Sequence, residues 1–413
     1  MNNKAKRLKL ILFILFSTVF FGSITYKLIL ISGGPIQEFD AHILFAKKMA
    51  EEGRIVLPHF LFQALTIVHH SLLSIINLPT HEITGINDKY TYDWGFAAFL
   101  VMIEIYVGIA LLLFFHLNSR RQSVSNSVSE NSAYFVAFGL SIVAPLFFLA
   151  PLDNQYYLGY ITPSSLYIIP TQVLLKFPSL ALFLLIPKFF SKRHHDSQRN
   201  LAFLLCTAGL VTLSGLAKPN WLLVMLPALV ITAMSFYYRK QYINWTALLV
   251  IFLCSIVLLA WQYYFKFSDP LSPIYKSQIL ITTPFEVWRF FSDHIFIKIL
   301  LSVLFPISLV LLFWRDAKKD FLLRQGWLLL LIGLFYTAFV GESGKAKYAG
   351  NFFWCSYIAC FMLFVASASF LFQNWPVLNK NSRSKAMVAL GVFCLHVACG
   401  LIYYFRSFNY SFV

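Results

Sequence analysis

The sequence predicts an all-α, polytopic transmembrane helical bundle, and three observations support that prediction. Of its 413 residues, 59% are hydrophobic and only 12% are charged, and the mean hydropathy is +0.70. Soluble domains carry about 25% charged residues, so this chain has too few charges to cover a surface that faces water. Its apolar residues also fall in runs of about 20, the length that spans the hydrocarbon core of a bilayer.

Eleven apolar segments are predicted to be membrane-spanning helices. They cover residues 8–31, 94–117, 132–152, 171–190, 200–217, 221–237, 245–265, 295–314, 326–341, 352–372 and 386–406. The first segment follows a basic stretch, as a signal peptide does, but its apolar run is longer than a signal peptide's, so we expect an uncleaved anchor. We therefore expect one integral membrane domain over residues 1–413, with no soluble C-terminal domain.

The distribution of Lys and Arg assigns the connecting segments to the two sides of the membrane. With the N-terminus in the cytoplasm, the short inner segments hold more Lys and Arg than the longer outer ones, which is the positive-inside bias. Counting residues 58–78 as a twelfth span would place the basic clusters at Arg120 and Lys192 outside. We therefore expect residues 32–93 to form one large extracytoplasmic loop, in which 58–78 is an interfacial helix.

The same charge distribution explains the formal net charge of +16. Since the basic residues are expected in loops beside a lipid bilayer, they do not indicate nucleic-acid binding. We expect a multi-pass protein of a bacterial inner or plasma membrane, with its candidate catalytic residues on the extracytoplasmic face.

Two carboxylates follow the first helix in the segment GGPIQEFDAHILFAKKMAEEGR. Glu38 and Asp40 lie seven and nine residues beyond the end of that helix, close to the expected membrane surface. The phosphate of a lipid-linked substrate lies at this level, and a carboxylate there can act as a general base that takes a proton from an acceptor hydroxyl. In an extended segment, both carboxylates would point to one side.

A structural role is the alternative for Asp40. Residues 41–52 are predicted to form a short amphipathic helix that ends at Gly53, and Asp is a favoured N-cap at the preceding position. Capping and catalysis are compatible, so both roles stay open for Asp40 at this point.

The position of this acidic pair resembles the GT-C superfamily, multi-spanning membrane glycosyltransferases that take sugars from polyprenyl-phosphate carriers. Their large first outer loop bears an acidic motif, which Glu38-Phe39-Asp40 matches in place and chemistry, and it continues as an amphipathic helix. The resemblance in topology covers most of the chain. It implies a GT-C-like fold, Asp40 as general base with Glu38 as a second acidic group, a polyprenyl-phosphate sugar donor and a lipid-linked or cell-surface glycan acceptor.

Candidate substrate-binding residues lie in the same loop and in other predicted outer segments. Lys and Arg at the outer surface can hold a lipid phosphate and neutralise charge on the leaving group. The candidates are His42, His59, Lys176, Lys218, Glu342, Lys345, Lys347 and Asn351. The alternative for each lysine is an interface anchor, because lysines extend to the headgroups and aromatic residues gather at the membrane surface.

Glu104 and Lys176 are predicted to lie inside membrane-spanning helices. Charges at this depth are costly, so we expect the two side chains to form a buried pair or to serve a function. A divalent metal is a further option for the first outer loop, with Glu38, Asp40 and His59 as candidate ligands. The histidine spacing is weak evidence for a metal, and no cofactor is assigned.

Other membrane functions fit the sequence less well. A transporter or flippase of lipid-linked sugars would favour paired half-repeats and broken helices; Pro145, Pro227 and Pro306 interrupt predicted helices, but the two halves of the chain do not correspond. An O-acyltransferase would need a histidine deep among the helices, where His396 lies. An O-antigen polymerase or ligase would need arginine-rich outer loops, and these offer mainly Arg54 and Arg289.

Overall fold

The computed structural model of the protein is an all-α bundle, as the composition predicts. It describes residues 3–31, 37–76, 92–124, 129–147, 157–158, 169–191, 197–267 and 278–409. Within these residues the chain is mostly helical, and the only strands are two short ones that pair with each other.

Sixteen α-helices are numbered here in chain order. They are α1 (Asn3–Tyr26, continued by a π-helical turn at Lys27–Ile31), α2 (Gln37–Glu52), α3 (Leu61–Ile75), α4 (Tyr92–Val124), α5 (Glu130–Ile142), α6 (Pro170–Phe189), α7 (Ser197–Ala217), α8 (Asn220–Tyr238), α9 (Trp245–Phe267), α10 (Glu286–Phe291), α11 (Ile295–Ser302), α12 (Leu304–Leu312), α13 (Trp314–Ala317), α14 (Phe321–Phe339), α15 (Phe353–Asn381) and α16 (Arg383–Asn409). The strands are β1 (Ile279–Ile281) and β2 (Val340–Glu342), which pair antiparallel with Ile279 opposite Glu342.

Eight of the described helices are long and apolar enough to cross a membrane, so the protein is an integral membrane protein. These eight are α1, α4, α6, α8, α9, α14, α15 and α16, and the bent pair α11–α12 makes a ninth if it is one span. The predicted spans 132–152 and 200–217 correspond to α5 and α7, which provide shorter apolar stretches. The number of eleven spans therefore stays a prediction.

The segment that suggested a twelfth span forms the 15-residue helix α3. At 1.5 Å per residue its length is about 22 Å, which is short of the ~30 Å hydrocarbon core. Two pairs hold it against α4: His69 Nε2 lies 3.0 Å from Glu104 Oε1, and His70 Nε2 lies 2.7 Å from Asp93 Oδ2. The expected Glu104–Lys176 pair is therefore wrong, because Glu104 contacts α3 and its side chain is 66% exposed.

Helix α15 is the centre of the bundle. Its most apolar 18-residue stretch is buried completely within the protein, and it packs against α4, α8, α14 and α16. A helix that is apolar all round is stable when other helices cover every face. The first turns of α15 are thereby held in fixed positions at the end of the bundle where α2 lies. We call this end, where α1 ends and α4, α6, α8 and α15 begin, the α2 end.

Helix α2 begins earlier than the sequence indicated. It starts at Gln37 rather than at residue 41, so Asp40 lies inside the first turn and the N-cap prediction for Asp40 is wrong. Residues 38–40 are also helical, so they do not form the extended segment on which the prediction of a shared side for Glu38 and Asp40 depended. The end of the helix is as predicted, since Gly53 takes a left-handed conformation with φ of 62° directly after Glu52.

Two helices are broken inside the bundle, and each break lies next to a proline. Helix α5 ends at Ile142, and residues 143–147, which include Pro145, are not helical apart from a single 3-10 position at Phe147. The second break, between α11 and α12, bends the chain by 67°. Pro306 has no N–H to donate to the carbonyl of Ser302, four residues earlier, which weakens the helix at this point. Pro227 differs from both, because α8 runs through it.

Helix α16 supports the first break through hydrogen bonds. Ala144 N–H donates to His396 O at 3.2 Å, and His396 Nδ1 contacts Ala144 O at 2.7 Å. The backbones approach so closely that a Cβ on Gly400 would lie 1.7 Å from Ile142 O. Only glycine fits at position 400 without moving one of the two chains.

Candidate functional site

The site at the α2 end begins with a buried histidine on α2. His42 is 7% exposed, and the side-chain amide Nε2 of Gln63, on α3, donates to its Nδ1 at 2.6 Å. Since Nδ1 accepts this hydrogen bond, the neutral imidazole carries its proton on Nε2. The ring of His59, in the loop between α2 and α3, lies 6.5 Å from the His42 ring, measured between centroids.

A glutamine on α9 ties the His59 loop to the turn between α7 and α8. Gln262 Nε2 donates to Pro58 O at 3.1 Å and to Gly215 O at 2.7 Å. Pro58 precedes His59, and Gly215 lies three residues before Lys218. The two hydrogen bonds therefore fix the loop that carries the histidine beside the turn that carries the lysine.

The surroundings of both histidines keep them neutral at pH 7. Burial, and secondarily the positive charge of Lys218, lowers the pKa of His42 to about 3. Burial also holds the pKa of His59 well below its ordinary value of 6.5, with further contributions from Lys218, His42 and Lys266. At neutral pH the positive charge in this region therefore comes from lysines, and the imidazoles serve as hydrogen-bonding groups.

A second polar network meets the first at the same end of the bundle. The Glu342 carboxylate on β2 is 4% exposed; its Oε1 forms an ion pair with Lys266 of α9, and its Oε2 accepts from Asn351 Nδ2 at 2.7 Å. Asn220 Nδ2, at the start of α8, donates to Asn351 O at 2.9 Å. Both oxygens of Glu342 are thus engaged within the protein, and whether Glu342 also binds substrate stays a prediction.

Lysine 218 links the two networks to the central helix. Its Nζ lies 4.7 Å from the centroid of the Trp354 ring at the start of α15, a cation–π contact. It is also close enough to His42 and His59 to lower the pKa of both. We call His42, His59, Lys218, Lys266, Glu342 and Asn351 the α2-end cluster.

The two predicted catalytic carboxylates lie on α2, the helix that carries His42 of this cluster, and they precede His42 by a few residues. Asp40 is half-buried in the first turn of α2, two residues before His42, and Glu38 is in the same turn. A negative charge near a helix N-terminus is favourable, because the unpaired N–H groups there carry partial positive charge. The cluster, with Asp40 next to it on α2, thus combines ammonium groups, neutral imidazoles and a carboxylate, groups that can bind an anion and accept a proton.

Three other predicted substrate-binding residues, Lys176, Lys345 and Lys347, are not part of the α2-end cluster. Lys347 Nζ pairs with Glu286 Oε1 at 2.7 Å, and this exposed pair raises the pKa of Lys347 and lowers that of Glu286. Lys345 lies in the 3-10 turn Gly344–Ala346. Lys176 is buried among helices, with its Nζ 4.7 Å from the Tyr357 ring centroid. Whether these lysines bind substrate stays a prediction.

Sequence reasoning missed several members of the site. Lys266, Gln262, Gln63 and Asn220 were not singled out, although each makes a contact that joins two elements of the site. A signal was present for Gln262 and Lys266, since they are polar residues at the end of an otherwise apolar span. Their partners lie 47 and 76 residues away, and no local pattern identifies them.

Two alternatives can be judged from the described residues. Among those residues, no group of three or more His, Cys, Asp or Glu side chains could hold a metal ion. The side chain of Glu38 is not among them, so a metal held by Glu38, Asp40 and His59 stays a prediction. His396, the residue an O-acyltransferase would use, has Nδ1 2.7 Å from Ala144 O and Nε2 accepting from Phe305 N–H at 3.3 Å. Both ring nitrogens are therefore used to hold the fold.

The chain matches no protein-family model, no curated protein and no solved structure. The function is therefore inferred from the residues of this chain and their geometry.

Proposed function

We propose that the protein is an integral membrane glycosyltransferase with a GT-C-like fold. It transfers a sugar from a polyprenyl-phosphate-linked donor to an extracytoplasmic lipid-linked or cell-surface glycan acceptor. The observation that carries the proposal is the position of Lys218 and Lys266 beside His42 and His59 at one end of a membrane bundle, where His42 follows the acidic first turn of α2. A donor of this class presents its phosphate at the membrane surface, beside the sugar carbon that reacts.

The roles follow from the chemistry of the transfer. A bond forms between the acceptor oxygen and the anomeric carbon, and the bond from that carbon to the phosphate oxygen breaks. Asp40 takes the proton from the acceptor hydroxyl, with Glu38 as the second acidic group. Lys218 and Lys266 hold the phosphate and neutralise the charge that develops on the polyprenyl phosphate as it leaves.

The proposal includes an orientation in the membrane. The chain has about eleven spans, its N-terminus is cytoplasmic, and the α2 end faces the extracytoplasmic side of a bacterial inner membrane. Single cysteines introduced into a cysteine-free variant test the orientation, using a thiol reagent that does not cross membranes. A cysteine in place of Ser125 should stay unlabelled in intact cells, and its labelling from outside would overturn this orientation.

The function is tested by comparing cells that lack the protein with cells that regain it. Lipid extracts and surface glycans of the two should differ by one sugar, present only when the wild-type chain is expressed. The purified protein should then transfer that sugar from a polyprenyl-phosphate donor in detergent. Identical lipid and glycan profiles in both cell types would contradict the proposal.

A transporter or flippase of lipid-linked sugars is the second candidate, and the two helix breaks favour it. Irregular backbone inside a membrane bundle is typical of transporters, in which it lines the substrate site. Residues 143–147 and the break at Val303 both lie beside the buried Lys176. Proteoliposomes distinguish the candidates, because a flippase moves the labelled lipid across the bilayer without breaking its sugar–phosphate bond.

A further inference from the structure

A small cavity lies inside the bundle where the two helix breaks approach α6 and α15. Residues 143–145, Ser302, Lys176, Tyr357 and Cys360 contribute to its walls. Its volume is about 40 Å³, which is enough for a few water molecules or one small ion and too small for a sugar. It is therefore too small to be the substrate site proposed at the α2 end, although the ring of Tyr357 contacts that of Trp354, which Lys218 also contacts.

The positive charge in this cavity is not balanced by a carboxylate. Lys176 is 7% exposed, and its Nζ lies 4.7 Å from the Tyr357 ring centroid and 5.1 Å from that of Phe361. Among the residues that the structure describes, none forms an ion pair or a hydrogen bond with this ammonium group. An ammonium group buried at this depth is costly unless an anionic partner compensates it.

The cavity wall also contains a polar group that can donate a hydrogen bond. The Tyr357 hydroxyl is buried and has no hydrogen-bond partner within the described residues. By contrast, two nearby carbonyl oxygens are already engaged: Ala144 O contacts His396 Nδ1, and Pro145 O accepts from Phe147 N–H at 2.9 Å. The Ser302 hydroxyl donates to Lys298 O at 2.6 Å, so its proton is also used.

We infer that this cavity binds one small inorganic anion, such as chloride, held by the Lys176 ammonium and the Tyr357 hydroxyl. The anion supplies the negative charge that the described side chains do not provide. Gln172 lies one turn nearer the α2 end on the same face of α6, and both of its polar side-chain atoms are buried without a partner in the described structure. Its polar amide therefore lies between the cavity and the α2 end.

The inference is tested on the purified full-length protein by its thermal stability in different sodium salts. At constant ionic strength, replacing gluconate by chloride or bromide should raise the unfolding temperature with a saturable dependence on halide concentration. Lys176→Met should remove this dependence, and Tyr357→Phe should shift its midpoint at least threefold to higher halide. Lys27→Met is the matched control, because Lys27 also contacts an aromatic ring, at 5.6 Å, but lies outside the cavity.

If Lys176→Met does not fold, a second measurement tests whether the cavity binds an anion. A structure of the wild-type protein in bromide should show an anomalous peak within hydrogen-bonding distance of Lys176 Nζ. Equal halide dependence in wild type and Lys176→Met, or a bromide structure without that peak, would overturn the inference. Neither result depends on whether the protein transfers sugars.

Discussion

The α2-end cluster and the Lys176 cavity both contain lysines, but they differ in how the positive charge is compensated. In the cluster, Glu342 pairs with Lys266, and Asn351 engages the other oxygen of the same carboxylate. In the cavity, Lys176 faces two aromatic rings, and no carboxylate among the described residues contacts it. We therefore propose that Lys266 is positioned for a substrate, whereas Lys176 is arranged around a small ligand.

The backbone differs between the two regions as well. The cluster is built at the ends of helices, where loops and turns are joined by side-chain hydrogen bonds such as those of Gln262. The cavity is built from helices that break inside the bundle, where α16 engages the exposed peptide groups. We therefore expect substitutions at close backbone contacts to lower stability most near the cavity. We expect substitutions that remove a charge to lower donor affinity most in the cluster.

The largest expected effect is at Gly400, where α16 meets the end of α5. Gly400→Ala places a methyl group against Ile142 O and should destabilise the fold by about 3 kcal/mol or more, as severe overpacking does. Gly391→Ala on the same helix is the control, since no heavy atom lies within 4 Å of a Cβ there. Size-exclusion profiles after heating measure the difference, and equal stability of the two variants would contradict the close contact at the break.

The next effect concerns the lysines of the cluster. Lys218→Met should weaken apparent donor affinity about 10- to 100-fold, because a charged hydrogen bond to phosphate contributes about 1.5–3 kcal/mol. Lys347→Met should change it less than about threefold, since that lysine forms an exposed pair with Glu286. Donor titrations of the transfer rate give both values. A larger loss from Lys347→Met than from Lys218→Met would contradict the assignment of the phosphate site.

To test whether Lys266 binds the donor, the charge of its partner Glu342 must be removed in the same variant. Removing Lys266 alone would leave Glu342 buried and unpaired, which is strongly destabilising in itself. The double variant Lys266→Met/Glu342→Gln removes both charges and should fold while binding the donor about tenfold more weakly. Unchanged donor affinity in a folded double variant would show that the pair has only a structural role.

A further effect is a pH dependence of stability from His42. Its folded-state pKa of about 3 lies below the ordinary 6.5, so below pH 6.5 the unfolded state binds more protons than the folded state. Stability is therefore lost as the pH falls, by about 2 kcal/mol at pH 5 from this histidine. His42→Gln should flatten the decline in unfolding temperature between pH 6.5 and 5. An equally steep decline in the variant would contradict the neutral, buried state of His42.

The sequence predicted the parts of this structure that depend on local composition. Apolar runs identified the spans, and the outer segments predicted from charge contain His42, His59, Lys218, Glu342 and Asn351, which the structure brings together. It also placed Gly53 correctly, because a left-handed residue after a helix favours glycine.

Other features depend on contacts that no local pattern records. The start of α2 was predicted too late because Asp40 is a favourable N-cap, whereas the helix already includes the acidic turn that begins at Gln37. The Lys266–Glu342 pair joins residues 76 positions apart. The prolines predicted interruptions at Pro145, Pro306 and Pro227, but α8 runs through Pro227. The contacts from α16 that support the break at residue 143 come from about 250 residues further along, and no local pattern identifies them.

The most direct test of the account is the transfer rate of Asp40→Asn, measured on purified protein with a polyprenyl-phosphate sugar donor. Asn keeps the shape of the side chain but cannot take a proton, so the rate should fall by about 10²–10⁴ while the unfolding temperature changes little. Glu51→Gln, an exposed carboxylate further along α2, is the control and should retain the wild-type rate. Glu38→Gln and the double variant belong beside it, because the two carboxylates share one turn. A wild-type rate in Asp40→Asn and in the Glu38→Gln/Asp40→Asn double variant would contradict the catalytic role of α2.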